Sequence, residues 1–302
     1  MVKARLRIIY SYIYIYNGTS VKFCINFSRS FFLLGKLVNK RSNRIRKANR
    51  ILSYRYGSRY SSYSRIKGRW FNLKTIGLIG GMSWESSMEY YRLINETVAM
   101  KLGGLHSAQC LMYSVDFQEI ETLQHQNRWD KLTDIMVAAA VRLKNGGADF
   151  VVICTNTMHK VANDIETRAG IKVLHIAEVT GNTVVQKGMK KVGLLGTKFT
   201  MEQDFYKQVL KEKFDITVVI PEEAEREFIH HVIYHELCQG MIRSDSRARF
   251  TTIIDKLAAN GAAGVVLGCT EIPLLVRQAD VEIPVFDTTR LHAVAAVEYA
   301  LK

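Results

Sequence analysis

From residue 75 onward the chain alternates short apolar runs with longer stretches of helical period. Residues 75–79 form an apolar run that ends in Gly80-Gly81, and residues 84–102 continue in helix-compatible composition, so strand, glycine turn and helix open an α/β unit. Residues 109–115 read as a strand. Residues 129–145 read as a helix with Leu132, Ile135, Met136, Ala139 and Leu143 on its apolar stripe, and 150–153 as a buried strand. The order continues with a strand at 173–176, a helix at 180–188, a strand at 191–195, a helix at 200–213 and a strand at 217–220. A polar helix at 222–240, another at 246–260, a strand at 264–267 and a final helix ending at 301 complete it. Alternation of this kind predicts an α/β fold of parallel sheets flanked by helices on both faces.

Two stretches repeat. KTIGLIGG at 74–81 resembles KKVGLLGT at 190–197, and GGADFVVICTNT at 146–157 resembles GAAGVVLGCTEI at 261–272. The separations agree, 79 positions from Ile76 to Thr155 and 77 from Val192 to Cys269. The repeat predicts two pseudo-symmetric lobes, one of residues 73–172 plus 284–302 and the other of 173–283. Matching loops at the C-terminal strand ends then face each other across a cleft, where open α/β sheets place their ligands.

Charge divides the chain differently. The 302 residues carry a formal net charge of +14, yet residues 1–72 hold 17 of the 42 Lys and Arg and no Asp or Glu. The remainder has 25 basic against 28 acidic residues, so the basic balance belongs to an N-terminal extension and gives the rest no reason to bind nucleic acid. In the extension eight of the fourteen tyrosines lie among arginines and serines, and neither period is sustained, so no core is expected. Base stacking on RNA and a transit peptide both fit this composition. The reading adopted is a disordered or start-site segment outside fold and function, because a complete first strand follows directly on Leu73-Lys74. Five cysteines without a CxxC pair predict reduced, cytoplasmic thiols. No apolar run approaches the length of a membrane span, since 8–16 contains four tyrosines and stops at Asn17-Gly18.

Chemistry concentrates in two motifs, VVICTNTMH at 151–159 and VVLGCTEIP at 265–273. In each a buried strand ends in a thiol or hydroxyl followed by hydroxyl, amide or acidic residues. Exposed backbone N–H groups at such a point are expected to lower a thiol's pKa and to bind a carboxylate. A cysteine at a strand end is ordinarily a small buried hydrophobe; two related motifs at matched places argue otherwise for Cys269.

With these motifs, the GGMS opening at 80–83 and its length, the sequence resembles the aspartate/glutamate racemase family, particularly its broad-specificity amino-acid racemase branch, over the 230 residues after position 72. The resemblance implies an isomerase of D-amino-acid metabolism with no cofactor, neither pyridoxal phosphate nor a metal. One thiolate removes the α-proton of a small-molecule amino acid, and a second thiol returns a proton from the opposite face. L-Aspartate, L-glutamate or a related amino acid is the implied substrate, and Cys269 matches the residue that deprotonates the L-enantiomer.

This chain departs from the family at the first motif, where Thr155 stands in the place of the other catalytic cysteine and Cys154 lies one residue earlier. If the strand persists, that shift turns Cys154 to the opposite face. An aliphatic hydroxyl cannot match a thiol as a base near neutrality, although Thr155 can donate or relay a proton. The resemblance further implies that Asn156, Thr157, Thr270 and the backbone near Met82 and Ser83 hold the substrate carboxylate. Thr197, Thr200 and Glu271 join them as substrate-binding candidates. Gln124 falls where relatives contact the substrate side chain: an Arg there favours acidic substrates, whereas Gln leaves the preference open, and a solvated loop residue is the alternative.

His230, His231 and His235 lack the HExxH arrangement and read as structural or surface histidines, so no metal is expected. Gly80-Gly81 lacks the GxGxxG spacing of a dinucleotide site. A homodimer is left open. So are a related isomerase or decarboxylase of the maleate isomerase or hydantoin racemase type, and a non-catalytic amino-acid-binding protein.

Overall fold

The computed structural model describes residues 63–66 and 69–302. The extension expected over 1–72 lies outside the described residues, except for β1 (Tyr63–Ile66) and β2 (Arg69–Asn72), which pair antiparallel with Tyr63 opposite Asn72. The sequence pattern predicts no element there.

β3 (Ile76–Gly80) is buried throughout and lies between β4 (Cys110–Ser114) and β5 (Phe150–Ile153), parallel to both. A second parallel sheet runs in the order β7 (Thr217–Val219), β6 (Lys191–Gly196), β8 (Val265–Gly268), β9 (Val285–Asp287). The plan is shared: β3 and β6 are central, and a parallel bridge from Val173 to Val151 lies beside β5 as β9 lies beside β8.

Side chains alternate along each strand and feed two cores per lobe. Val151 and Ile153 pack with α3 (Trp129–Asn145) and α4 (Ala162–Ala169). Phe150, Val152 and Cys154 pack on the other face with α1 (Trp84–Leu102) and α11 (Thr288–Ala300). In the second lobe Val265, Leu267 and Cys269 face α8 (Glu223–His235) and α9 (Ser244–Ala259). Val266 faces α5 (Ile176–Gln186) and α7 (Asp204–Phe214). Helices thus cover both faces of both sheets.

The crossovers exchange helices between the two sheets. α5 follows the Val173 bridge yet packs on α7 of the second lobe, and α11 follows β9 yet packs on α1 of the first. Each crossover exchanges its helix but not its strand, so Val173 belongs to the first sheet and Val285–Asp287 to the second, whereas sequence placed the divisions at 173 and 284. Other elements also differ, and α4 and β9 have no counterpart in the predicted order. α2 (Phe117–His125) has no counterpart in the predicted order. The helix expected over 200–213 breaks at Gln203, whose extended backbone separates α6 (Lys198–Glu202) from α7. The helix expected to reach 240 ends at His235 and is followed by a short 3-10 turn, Leu237–Gln239. Among the described residues no helix is long and apolar enough to cross a membrane.

Candidate active site

The C-terminal strand ends of both lobes converge on one cavity. Thr155, Asn156 and Thr157 enter it after β5, Thr197 after β6, Gly268, Cys269 and Glu271 after β8, and Met82 after β3. α2 adds Phe117 and Gln124, and α8 with the turn behind it adds Ile233, Tyr234 and Cys238. The loop carrying Met82 is held close by Gly81, whose φ of +89° and contact with the Val115 carbonyl leave no room for a Cβ. The cavity measures about 20 Å³, room for about one water. An amino acid does not fit it as it stands.

Cys269 is buried and its Sγ–H donates to Glu271 Oε2 at 3.1 Å. Thr270 Oγ1 donates to the same oxygen at 2.7 Å, and Ser83 Oγ, from the other lobe, donates to Oε1 at 2.7 Å. Glu271 therefore gathers three donors and joins the lobes. Burial first, and the Glu271 carboxylate second, push the Cys269 thiol well above its ordinary pKa; the Glu271 backbone N–H lowers it but is outweighed. The depressed thiol pKa expected from strand-end N–H groups is thus corrected, because the thiol is buried and, second to that, lies beside a carboxylate.

On the facing lobe the alternation of β5 carries past its end. Cys154 is fully buried in the core with α1 and α11, its thiol pKa raised by burial, while Thr155 lines the cavity. The Thr155 carbonyl accepts from His159 Nδ1 at 2.8 Å. His159 is buried beside His175 and His292, with ring centroids 4.9 and 5.4 Å away. Burial, then His175, lowers the His159 pKa to about 3.

Asn156 is oriented by counting protons. Thr288 Oγ1 spends its one hydrogen on the Leu267 carbonyl at 2.7 Å, so it accepts from Asn156 Nδ2 at 3.1 Å. Asn156 Oδ1 then faces away from Thr288 and is a buried acceptor without a donor. It suits an ammonium group better than the carboxylate expected from sequence. Thr157 Oγ1 lies 3.1 Å from Thr197 Oγ1 and 3.4 Å from Thr200 Oγ1, a hydroxyl cluster spanning the lobes. Of the sequence candidates, Met82, Gln124, Thr155, Asn156, Thr157, Thr197, Cys269 and Glu271 line the cavity; Ser83, Thr200 and Thr270 stand behind its wall.

Gln124 lies on α2, 4% exposed, rather than in a solvated loop. Its Oε1 accepts from Tyr234 Oη at 3.3 Å across the lobes. Sequence reasoning missed Phe117, Ile233, Tyr234 and Cys238, which reach the cavity from the unpredicted α2 and from the end of α8. A helical spacing from Ile233 to Tyr234 and the following turn carries no chemical signature of its own. His230 and Tyr234 rings lie 4.8 Å apart at the cavity's outer edge, while His231 and His235 stack on each other at 4.4 Å.

Comparison with known proteins finds relatives of one family. A family model described as Asp/Glu/hydantoin racemase matches residues 79–296. A Yersinia pestis protein of known structure, described as a candidate Asp/Glu racemase, is 52% identical, with 76% of this chain and 100% of that chain covered and a TM-score of 0.72. An aspartate racemase homologue from Pyrococcus horikoshii OT3 is 33% identical over 76% of this chain and 100% of its own, with a TM-score of 0.68. The broad specificity amino-acid racemase RacX of Bacillus subtilis strain 168 is 22% identical over 227 residues, 74% of this chain and 96% of its own length.

Proposed function

The chain belongs to the Asp/Glu/hydantoin racemase family, and from that premise we propose that it is a cofactor-independent racemase of L-amino acids with Cys269 as its base. The observation that carries the reading is the pairing of Cys269 with Thr155, at matched strand ends of two lobes, on one cavity.

The substrate α-carbon lies between Cys269 and Thr155. Its carboxylate is held by the hydroxyls of Thr157 and Thr197 and by backbone N–H groups near Met82. Its ammonium donates to Asn156 Oδ1, the buried acceptor that has no donor. Glu271 takes the Cys269 proton along the Sγ–H to Oε2 hydrogen bond, and the arriving ammonium offsets the negative charge that otherwise opposes a thiolate. The thiolate removes the α-proton, and the carbanion's charge spreads into the carboxylate held by the hydroxyls. The Thr155 hydroxyl relays a solvent proton to the opposite face, taking one as it gives one so that no alkoxide forms, and Glu271 returns the proton it holds to solvent when the lobes part. A hydroxyl can relay a proton, but its alkoxide is not populated near neutrality and it cannot serve as the base, so L-substrates are deprotonated and D-substrates are turned over slowly.

α-Proton exchange tests the reading. In deuterated buffer an L-amino acid should lose its α-proton signal with the full chain and keep it with Cys269→Ser, because a hydroxyl cannot supply the base.

A further inference from the structure

From the residues around the side-chain end of the cavity, we infer that the enzyme takes amino acids with uncharged side chains and discriminates against those bearing a second carboxylate. This rests on the racemase reading and names its substrate class. The α-carbon, carboxylate and ammonium occupy Cys269, Thr155, the threonine hydroxyls and Asn156. What remains for the side chain is the wall of Met82, Phe117, Gln124, Ile233, Tyr234 and Cys238. None of these is a cation, and among the residues lining the cavity there is no Lys, Arg or His. A carboxylate of aspartate or glutamate would be stripped of water there and meet only amide, phenol, thiol and hydrocarbon. Burying a charge without a partner is costly, whereas an amide or apolar side chain of the same shape carries no such penalty.

The surrounding field points the same way. Besides burial, the groups that raise the pKa of Tyr234, Cys238 and Cys269 are thiols and the carboxylates of Glu271, Glu85 and Glu121. The basic groups just outside the wall are committed elsewhere. Lys198 pairs with Glu227, and Lys160 lies over the Trp129 ring at 3.7 Å. His125 Nε2 lies 3.1 Å from Glu121 Oε1. His230 accepts from the Lys198 backbone N–H, and burial, then His125 and Lys198, holds its pKa near 4, so it is neutral at pH 7. The polar group best placed to meet the substrate's end is the Gln124 amide. Its two partners are the Met158 sulfur at 3.3 Å, a weak acceptor, and a 3.3 Å bond from Tyr234, long for O–H···O, and both can be exchanged for a substrate amide or hydroxyl.

Isosteric pairs isolate charge from shape. α-Proton exchange at pH 7.5 and subsaturating substrate, with the full chain, compares L-glutamine with L-glutamate and L-asparagine with L-aspartate, with L-methionine and L-leucine alongside. The amide member of each pair should exchange at least about tenfold faster than its acid. Equal or faster exchange of the acids overturns the substrate class while leaving the racemase reading intact. No exchange from any of the six overturns the racemase reading and this inference with it. Gln124→Arg supplies the missing cation and should shift the glutamate-to-glutamine ratio toward glutamate by about tenfold or more. An unshifted ratio in a folded, active variant removes Gln124 from the side-chain wall.

Discussion

Glu271 is where the chemistry of single residues is most finely balanced. Burial first and its carboxylate second hold the Cys269 thiol above its ordinary pKa, and in the proposed reaction that same carboxylate takes the thiol's proton once the substrate ammonium arrives. Glu271→Gln separates the two effects. Removing the negative charge lowers the Cys269 pKa, so alkylation of Cys269 by iodoacetamide at pH 8 should speed up by several-fold. Removing the proton acceptor should slow α-proton exchange by about tenfold or more. Alkylation by mass spectrometry and exchange by NMR read the two outcomes. If both rates fall together, the carboxylate is not what holds the thiol protonated.

At the scale of elements, the end of β5 decides which side chain faces the cavity. Odd-numbered residues from Val151 run along one face and even-numbered ones along the other, which sends Cys154 into the core and Thr155 to the cavity. Thr155→Cys therefore puts a thiol opposite Cys269. It should raise exchange of D-amino acids by about tenfold or more while changing L-exchange little, since a thiol needs only a modest pKa drop to ionise. Cys154→Ala should leave the L-to-D ratio unchanged; if it abolishes racemisation while Thr155→Cys does nothing for D-substrates, the assignment of the pair is reversed. The alternation was legible in the sequence because period two over a buried strand admits one register. The side-chain wall was not. α2 is nine residues long with only Phe117, Ile120 and Leu123 to mark it, and β9 is three residues after a proline, both too short for periodicity to register. Tyr234 and Cys238 reach the cavity only because α8 stops at His235 and the chain tightens into a 3-10 turn, a tertiary outcome that its polar composition does not announce.

The molecule as a whole is two copies of one plan locked by their exchanged helices. The repeat in the sequence revealed the copies, and its divisions at 173 and 284 already set α5 and α11 in opposite lobes; that Val173 and β9 stay with the preceding sheet had no sequence signal. At the seam lie His159, His175 and His292; burial is the first cause lowering each, followed by a neighbouring histidine, to pKa values of about 3, 4 and 3. Groups held neutral in the fold but free to protonate when unfolded make stability depend on pH in one direction. Their contribution is complete above the unfolded histidine value of about 6.5 and is lost as pH falls toward 4. Urea midpoints should therefore be level between pH 7 and 8 and decline steadily from pH 6.5 to 4.5, with an uptake of about two to three protons on unfolding near pH 5. A midpoint that holds or rises over that interval contradicts a neutral histidine seam.

The central claim is that one thiol, Cys269, deprotonates amino acids from one face of a cavity whose other face carries only a hydroxyl. Single-turnover α-proton exchange in deuterated buffer, followed by NMR on separate L- and D-glutamine samples with the full chain and with Cys269→Ser, tests it most directly. The account predicts that the L-isomer loses its α-proton at least about tenfold faster than the D-isomer, and that both rates collapse to background in Cys269→Ser. Equal exchange of the two isomers, or more than a few per cent of the L-rate surviving in Cys269→Ser, contradicts it.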